Sequence, residues 1–352
     1  LSKKNKVDLI YTEPKENFHK KIRFINKTIF VKTHKIEKYF NILYYLIMGK
    51  PLQVGYFFSS EMKSKINEIK KDYNIIIFHL IRSGEFLPIN YEGTKILEMT
   101  DLISKNYLQL QKKLSFINPL KYIYLIEKIL LEKYEKKIIE PFNRIVLVSK
   151  EDVKYFSISN KLKRKIKIVS NGTDSKKKLY KFKKQNKDII FIGNINYLPN
   201  KIACYDFIKT IMPELEMKQI NINFKIIGHT SKLLKFYLTR FKNVEVYNNV
   251  KSPEKLCRNA ICGISNLSVV TGIQNKIMEY MRIGLPTIIS EKCFNNLNFI
   301  KNKDLLVYGN KDEFVKQIIK LKTEKTLAKK ISDNCYKKIK NYYTWEKSLK
   351  KY

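Results

Sequence analysis

Short apolar runs rich in β-branched residues alternate with longer amphipathic stretches along most of the chain, and this pattern limits the fold more than any other feature. Apolar runs bounded by helical segments predict parallel strands that are covered on both faces. The pattern occurs twice in 352 residues, a length that suits two cores. We therefore expect two doubly wound α/β domains. The predicted strands are 7–12, 52–58, 74–79, 144–149, 188–193, 224–228, 244–247, 263–266, 287–290 and 305–308, with helices such as 124–139 and 253–259 between them.

The domain junction is predicted near residues 170–174, where a strand ends in the turn dipeptide Asn171-Gly172. A lysine-rich polar stretch follows and continues to Lys187, as expected of a linker. The predicted domains are 1–172, 173–335 and a terminal helix at 336–352. The first residues resemble the end of an element, so we expect the first strand and loop of the N-terminal domain to lie outside this sequence.

The chain is strongly basic, with 70 Lys and Arg against 32 Asp and Glu and a net charge of +38. Such an excess favours anionic partners, including nucleic acid, acidic headgroups and phosphates. The lysines are spread along the chain, which is equally typical of a biased overall composition. The five cysteines show neither CxxC spacing nor a metal pattern, as in a reduced cytoplasmic protein. The densest apolar stretch, 42–48, is too short to span a bilayer.

Glycine is scarce, with 11 residues in the chain, whereas about 7% is usual. Four glycines of the second half are predicted at strand ends or helix edges, where open α/β sheets bind ligands. They are Gly193, Gly228, Gly272 and Gly284.

The first candidate site follows the strand that ends at Gly193. A glycine lets a ligand approach the backbone, and the helix predicted to begin around Lys201 presents N–H groups and a positive dipole. Lys201 adds a full charge, and Asn194 lies in the loop between them. An ordinary strand–loop–helix turn with a solvated lysine is the alternative interpretation.

The second candidate site is the segment 269–281, where a helix is predicted to start after Gly272. Its first turn would bind a diphosphate, with Lys276 as the countercharge. Glu279 lies two turns beyond Gly272, about 10 Å along the axis, which is the spacing of a ribose from its diphosphate. A carboxylate that accepts from two hydroxyls suits a ribose. The alternative is a solvent-facing glutamate on an amphipathic helix.

The two sites in this order resemble the GT-B glycosyltransferases, specifically glycosyltransferase family 4. Residues 279–286, E-Y-M-R-I-G-L-P, match the family's E-A-M-A-x-G-x-P at Glu, Met, Gly and Pro. Residues 170–174 are similar to its x-N-G-V-D, and Trp345 is similar to the aromatic residue of its terminal helix. Residues 272–276 resemble an exopolysaccharide-type subgroup. Thr271 departs from the family because it stands where an acidic residue usually faces the donor sugar, so the sugar is left open.

The resemblance implies a GT-B fold: two Rossmann-like doubly wound domains that face a cleft, with the terminal helix crossing back to the first. It implies a metal-independent, retaining transferase that moves a sugar from a nucleoside-diphosphate sugar to a saccharide or lipid-linked acceptor in cell-surface polysaccharide synthesis. No cofactor and no nucleic acid are expected. The location is expected to be cytoplasmic, and the basic charge of the chain is expected to favour peripheral contact with the inner face of an anionic membrane.

The resemblance also assigns roles to residues of this chain. The implied catalytic residues are Lys201, Lys276, Glu279 and His79, of which His79 ends a strand of the first domain. The implied donor-binding residues are Gly193, Asn194, Gly228, His229, Val250, Thr271, Gly272, Ile273, Gln274 and Asn275.

Two rival functions stay open at this point. A GT-B nucleotide-sugar epimerase would have the same architecture, although a set of carboxylates and a histidine for proton transfer cannot be placed in the sequence. A basic protein that binds polyanions or nucleic acid would account for the charge. His79 has a structural alternative as well, as the residue that caps its strand.

Overall fold

A computed structural model describes residues 5–12, 25–174, 176–295 and 297–350. The chain divides into two compact units. The first comprises Leu1–Val146 and Ile158–Ile166, and the second comprises Leu147–Ser157 and Lys167–Tyr352. The last boundary between the units lies between Ile166 and Lys167, a few residues before the junction that the sequence predicts near residues 170–174. The packing of 336–352 against the first domain stays a prediction.

The first unit contains two sheets. Strands β1 and β2 form a parallel pair, and β3 to β6 form a four-stranded sheet in chain order, in which β3 and β4 are parallel. The strands are β1 Asp8–Thr12, β2 Lys27–Val31, β3 Ile75–His79, β4 Thr94–Thr100, β5 Arg144–Leu147 and β6 Ile166–Ile168. The helices of the first unit are α1 Lys35–Ile47, α2 Leu52–Phe57, α3 Ser60–Ile69, α4 Ile103–Gln111, α5 Pro119–Ile138 and α7 Asn160–Lys163, with 3₁₀ turns at Lys70–Asp72 and Ile81–Phe86. Helix α6, Lys150–Tyr155, belongs to the second unit.

The predicted strand at 52–58 is wrong, because this segment is helix α2. Its first two free N–H groups, on Leu52 and Gln53, donate to the carboxylate of Glu127 on α5 at 2.8 and 3.1 Å. A buried carboxylate at a helix N-terminus both satisfies these donors and favours the dipole. A partner 74 or 75 residues away therefore stabilises the start of this helix.

The second unit is built on a six-stranded sheet in the order β12-β11-β10-β7-β8-β9, and all five of its strand pairings are parallel. Renumbered within the unit, this is the Rossmann order 3-2-1-4-5-6. The chain order reverses between β7 and β10, so the expected ligand crevice lies at their carboxyl ends. The strands are β7 Asp188–Ile192, β8 Asn223–Ile227, β9 Val244–Tyr247, β10 Ala260–Ser265, β11 Thr287–Ser290 and β12 Leu306–Tyr308.

The helices of the second unit cover both faces of this sheet. Alternate side chains of β7 enter different clusters, Ile189 and Phe191 on one face and Ile190 on the other, which confirms the doubly wound prediction. The helices are α8 Leu198–Asp206, α9 Met212–Met217, α10 Lys232–Leu238, α11 Pro253–Cys257, α12 Asn275–Met281, α13 Glu291–Phe294, α14 Lys311–Thr323, α15 Lys325–Tyr342 and α16 Trp345–Leu349, and a π-helical turn at Phe207–Ile211 joins α8 to α9.

The segment around Gly172 and Thr173 lies against the start of the last helix, around Thr344 and Trp345. Thr173 forms an isolated parallel bridge with Thr344, and its N–H donates to the Tyr343 carbonyl at 2.8 Å. A Cβ at Gly172 would lie 2.7 Å from the backbone of Trp345, so only glycine fits there. All five cysteines are buried and unpaired. Within the described ranges, no helix combines the length and apolar character needed to cross a bilayer.

Candidate active site

The carboxyl ends of β7 and β8 are held together by two glycines. A Cβ at Gly228 would lie 1.9 Å from the Gly193 carbonyl oxygen, and Gly228 has a φ of +146°. The Gly193 N–H donates to the Ile227 carbonyl at 2.9 Å, and the Ile195 N–H donates to the His229 carbonyl at 2.8 Å. The two loops therefore leave the sheet as one paired surface with exposed backbone where side chains would otherwise stand.

Helix α8 begins at Leu198 with Pro199 in its first turn, slightly earlier than the sequence predicted. Proline is favoured here because its ring sets a helical φ and its missing N–H costs no hydrogen bond. Lys201 is half-buried in this first turn, and its Nζ lies 6.0 Å from the centre of the Tyr205 ring. Within the described ranges Lys201 forms no ion pair, so its charge is open to a ligand. Asn194 is exposed in the preceding loop.

The loop before α12 is held by a carboxylate that sequence reasoning missed. Gly272 is buried and has a φ of +57°, and its N–H donates to Asp152 Oδ2 at 3.2 Å. Asp152 is fully buried on α6. A ligand phosphate at this loop would therefore not meet a free Gly272 N–H. No local pattern around Asp152 indicates this role, since its partner is 120 residues away.

Lys276 lies on α12, a helix of seven residues, but its side chain is turned inward. Its Nζ donates to Asn200 Oδ1 at 2.8 Å and lies 4.6 Å from the centre of the Phe191 ring. Asn200 in turn donates from Nδ2 to the Asn194 carbonyl at 2.8 Å. Burial lowers the pKa of Lys276 to about 8, because little solvent is left to stabilise the charge. Lys276 thus meets the first turn of α8, directly beside Lys201.

Glu279 is paired with a neighbour on its own helix. Its Oε2 lies 2.5 Å from Arg282 Nη2, and the same guanidinium is 3.9 Å from Glu254. Lys176 completes this group through its contact with Glu254 at 3.0 Å. Burial raises the pKa of Glu279, and the adjacent Arg282 opposes this rise. The carboxylate is one-third exposed, so one side faces Arg282 while the group stays accessible.

Tyr280 joins the two strands at the point where the chain order of the sheet reverses. The Ile192 N–H donates to its hydroxyl at 2.7 Å, and the hydroxyl donates to the Ile264 carbonyl at 3.2 Å. A Cβ at Gly263 would lie 2.3 Å from the Tyr280 ring, so the missing side chain makes room for the ring on the sheet. Tyr280 therefore fixes α12 against the ends of β7 and β10, a role that the sequence did not reveal.

Helix α12 ends at Met281 and is followed by the glycine of the E-x-M-x-x-G-x-P pattern. Gly284 has a φ of +77°, and the Leu285 N–H donates back to the Tyr280 carbonyl at 3.0 Å. This is the hydrogen bond of a Schellman cap, which requires a left-handed residue. The prediction that the four scarce glycines lie at strand ends and helix edges is confirmed.

The other predicted donor-binding residues lie around the same edge of the sheet. Gln274 Nε2 donates to the Thr271 carbonyl at 3.0 Å, and Asn275 Oδ1 accepts from Asn171 at 2.7 Å. His229 and Asn275 are exposed, Val250 and Gln274 are half-buried, and Thr271 and Ile273 are buried. The structure thus brings the second-half residues together at the ends of β7, β8, β9 and β10.

His79 lies in the first unit at the end of β3. Its Nδ1 is 2.9 Å from Glu98 Oε2 on the neighbouring strand β4, and its side chain is two-thirds exposed. This pair suits both interpretations of His79, a strand-end contact and a ligand contact.

The second unit also contains a cavity that lies away from the candidate site. The cavity of about 400 Å³ is lined by residues that include Ile222 and Asn243, at the amino ends of β8 and β9, so it lies at the opposite edge of the sheet. Across the described ranges, no group of three or more His, Cys, Asp or Glu is arranged to hold a metal ion.

One family model matches the chain, and the match lies within the second unit. Residues 186–324 match the model of the family described as "Glycosyl transferases group 1". The matched segment contains the Gly193, Gly228 and Gly272 loops and Tyr280. No curated protein sequence is similar enough to the chain to count as a relative.

Solved structures of glycosyltransferases share the fold of the chain at low sequence identity. Sucrose-phosphate synthase from Thermosynechococcus elongatus has a TM-score of 0.68 at 14% identity, over 98% of this chain and 86% of that one. HepE of Anabaena in complex with UDP-glucose has a TM-score of 0.65 at 10% sequence identity, and the match covers 93% of this chain and 85% of HepE.

TarM has a TM-score of 0.64 at 15% identity over 83% of this chain, which spans only 57% of TarM. A TarM from S. aureus is among the matching structures as well. The predictions of a GT-B fold and of a glycosyltransferase are confirmed at the level of fold and of the matched family segment, and the exopolysaccharide-type subgroup stays a prediction. Residues 186–324 therefore match the group 1 glycosyl transferase model, within a chain that has the GT-B fold.

Proposed function

We propose that this protein moves a sugar from a nucleoside-diphosphate sugar to a saccharide or lipid-linked acceptor, with retention at the anomeric carbon and without a metal ion. The reaction is assigned to the cytoplasm and to the synthesis of cell-surface polysaccharide. The donor diphosphate is placed at the carboxyl ends of β7 and β10.

The observation that carries this proposal is the buried ammonium of Lys276. It donates a hydrogen bond to Asn200 and lies over the face of the Phe191 ring, but within the described ranges it makes no ion pair. A buried charge without a countercharge is costly. A diphosphate beside the first turn of α8 would supply the missing negative charge, and Lys201 would bind the same group from the surface.

The two glycine loops support a ligand site beside this charge. At Gly193 and Gly228 the backbones approach so closely that no side chain fits between them. A ligand can therefore approach the backbone itself at a place where a side chain would otherwise stand.

The chemistry assigned to the lysines is stabilisation of the leaving group. Negative charge grows on the diphosphate as the bond to the sugar breaks, and fixed positive groups lower the energy of that state. Each charge-assisted hydrogen bond contributes about 1.5–3 kcal/mol. Lys201 and Lys276 would thus do what a divalent cation does in metal-dependent transferases, so added EDTA should leave the activity unchanged.

Glu279 is assigned to the ribose hydroxyls of the donor. Its partial exposure leaves the carboxylate accessible, while Arg282 holds it in one orientation. An oriented carboxylate that accepts from two hydroxyls binds a ribose well. His79 is assigned to the acceptor side of the reaction.

The nucleotide to test first is uridine diphosphate. HepE of Anabaena has been solved with UDP-glucose, and TarM of S. aureus with UDP and alpha-GlcNAc-glycerol. Titration calorimetry with UDP-, GDP- and dTDP-sugars tests the donor class directly. We expect one of them to bind at moderate salt and Lys276→Met to weaken it at least about tenfold.

Lys242→Met is the matched control, because Lys242 is exposed near the opposite edge of the sheet and paired with Glu216. If no nucleotide sugar binds, or if both variants bind it equally, the proposed site is wrong. Steeply salt-dependent binding of polyanions that Lys276→Met leaves unchanged would instead favour the basic binding protein.

A further inference from the structure

Helix α1 is amphipathic in the inverted sense, with its apolar side chains facing outward. A helix of a globular protein normally turns its apolar stripe to the core. Here six large apolar side chains within one half of the helix circumference are between 58% and 76% exposed. They are Ile36, Tyr39, Phe40, Leu43, Tyr44 and Ile47, and we call them the α1 face.

The polar side of α1 is bound to its own unit, which fixes this orientation. Glu37 accepts from the Ser60 N–H and Oγ at 2.9 and 2.8 Å, and Asn41 Nδ2 donates to the Phe58 carbonyl at 3.4 Å. Lys38 is buried with its Nζ 5.1 Å from the centre of the Tyr56 ring. The helix cannot turn its apolar face inward without breaking these contacts.

A second helix of the same unit also carries exposed apolar residues. On α5 these include Tyr122, Ile123, Leu125, Ile126 and Ile129. The Glu127 carboxylate of α5 binds the first N–H groups of α2, which follows α1 directly, so the two helices belong to one structural block. Exposed apolar surface on this scale marks an interaction site.

The charges around these helices decide which partner fits. All four carboxylates of α1 and α5 are engaged within the unit, at Ser60, at the start of α2, at Lys128 and at Ser104. The lysines nearby stay exposed, including Lys32, Lys35, Lys112, Lys113 and Lys133. A second copy would present the same positive charge and be repelled. An anionic lipid surface would be attracted to the lysines and would bury the apolar face.

We propose that the α1 face, with the exposed apolar residues of α5 beside it, docks on the surface of a bilayer that contains anionic lipids. The helix lies in the interface, because no helix of the described ranges can span a bilayer. Phe and aliphatic side chains enter the acyl boundary, while Tyr hydroxyls and lysines stay at the headgroups. This inference goes beyond the proposed reaction and does not depend on it.

The test is sedimentation of the full chain with vesicles of phosphatidylcholine mixed with phosphatidylglycerol, and with vesicles of phosphatidylcholine alone. We expect binding to the mixed vesicles that weakens but persists as salt is raised. The double variant Phe40→Glu/Ile47→Glu should lose about tenfold or more of this binding, since it places two carboxylates where apolar side chains enter the lipid. Both positions are exposed, so the fold should be retained.

The matched control is Leu233→Glu/Phe236→Glu on α10, which makes the same change at two exposed residues of the second unit. It should bind vesicles like the unchanged protein, and both double variants should bind nucleotide sugar as before. The proposal is overturned if the unchanged protein ignores anionic vesicles, if the α1 variant still binds them, or if the control loses binding equally. It is also overturned if the substitution dissociates a dimer while vesicle binding persists.

Discussion

Lys276 Nζ donates to Asn200 Oδ1 at 2.8 Å, and this bond joins α12 to the first turn of α8. Asn200 also binds the Asn194 carbonyl, so one asparagine connects the lysine with the loop after β7. Two segments that the sequence presents as separate phosphate sites are therefore one site in the structure.

The first prediction concerns the pH dependence of nucleotide binding. The pKa of Lys276 is lowered to about 8 by burial, so the free protein loses this charge as the pH rises through 8. A bound diphosphate favours the protonated form, so affinity should fall with rising pH, by about tenfold for each unit above the pKa. Calorimetric titrations with UDP between pH 7 and about 9 measure this.

Lys276→Met should bind UDP weakly and lose this pH dependence. A variant that keeps the same fall in affinity would assign the dependence to another group.

The second prediction separates ribose binding from phosphate binding. Glu279→Gln should lower the affinity for UDP by about tenfold, since a charge-assisted hydrogen bond becomes neutral. The affinity for inorganic diphosphate should not change. Glu254→Gln is the control, because Glu254 also lies near Arg282. Equal losses in both variants would mean that Glu279 acts only through Arg282.

The third prediction concerns the hydroxyl that joins β7 to β10. Tyr280→Phe leaves the Ile192 N–H and the Ile264 carbonyl without this partner, which should lower the free energy of unfolding by about 1–3 kcal/mol. Nucleotide affinity should fall as well, because α12 loses its anchor. Tyr180→Phe is the control, since the buried Tyr180 hydroxyl has no partner within the described ranges. A similar loss in both variants, measured by urea unfolding, would contradict this role.

The fourth prediction tests the close approach of the two glycine loops. Gly228→Ala should lower the free energy of unfolding by about 1–3 kcal/mol or more, because the new Cβ would meet the Gly193 carbonyl oxygen. Nucleotide binding should be lost with it. Gly49→Ala provides the comparison, since Gly49 also has a positive φ of +67° but no atom within 4 Å of an added Cβ. If the two variants unfold at the same urea concentration, the contact between the loops does not matter.

The fifth prediction concerns the stability of the first unit. Burial raises the pKa of Glu135 to about 7 from 4.5, while Ser104 opposes this rise by donating from its N–H at 3.0 Å and from its hydroxyl. The native state therefore holds a proton that the unfolded chain releases between these values. The free energy of unfolding should fall as the pH rises from about 4.5 to about 7, by on the order of 3 kcal/mol.

Glu135→Gln removes the titrating group, so its unfolding free energy should be nearly flat over the same range. Urea unfolding at a series of pH values measures both proteins. A slope that survives the substitution would have to come from another residue.

The lipid surface and the sugar transfer can be tested independently. The α1 face belongs to the first unit, whereas the lysines and glycines assigned to the donor belong to the second. A variant that loses vesicle binding and keeps nucleotide binding would separate the two proposals.

Much of the second unit could be predicted from residue patterns. Its strands are continuous apolar runs, and their ends are marked by scarce glycines, so periodicity and composition locate both. The strands at Val244–Tyr247 and Thr287–Ser290 have the predicted bounds, and that at Asp188–Ile192 differs by one residue. The first unit was harder to predict, because the run at Leu52–Phe57 is apolar enough for a strand but forms a helix whose start is stabilised by the distant Glu127.

Sequence alone therefore determined the fold class, the placement of scarce glycines at strand ends and helix edges, and the two segments that form the candidate site. These follow from local geometry and the period of apolar residues. Only the tertiary structure decided that Lys276 is buried on Asn200, that Asp152 holds the Gly272 loop, that Tyr280 joins β7 to β10, and that the α1 face points outward. Each of these depends on partners many residues away, and local patterns carry no information about which distant group will satisfy a buried donor, acceptor or charge.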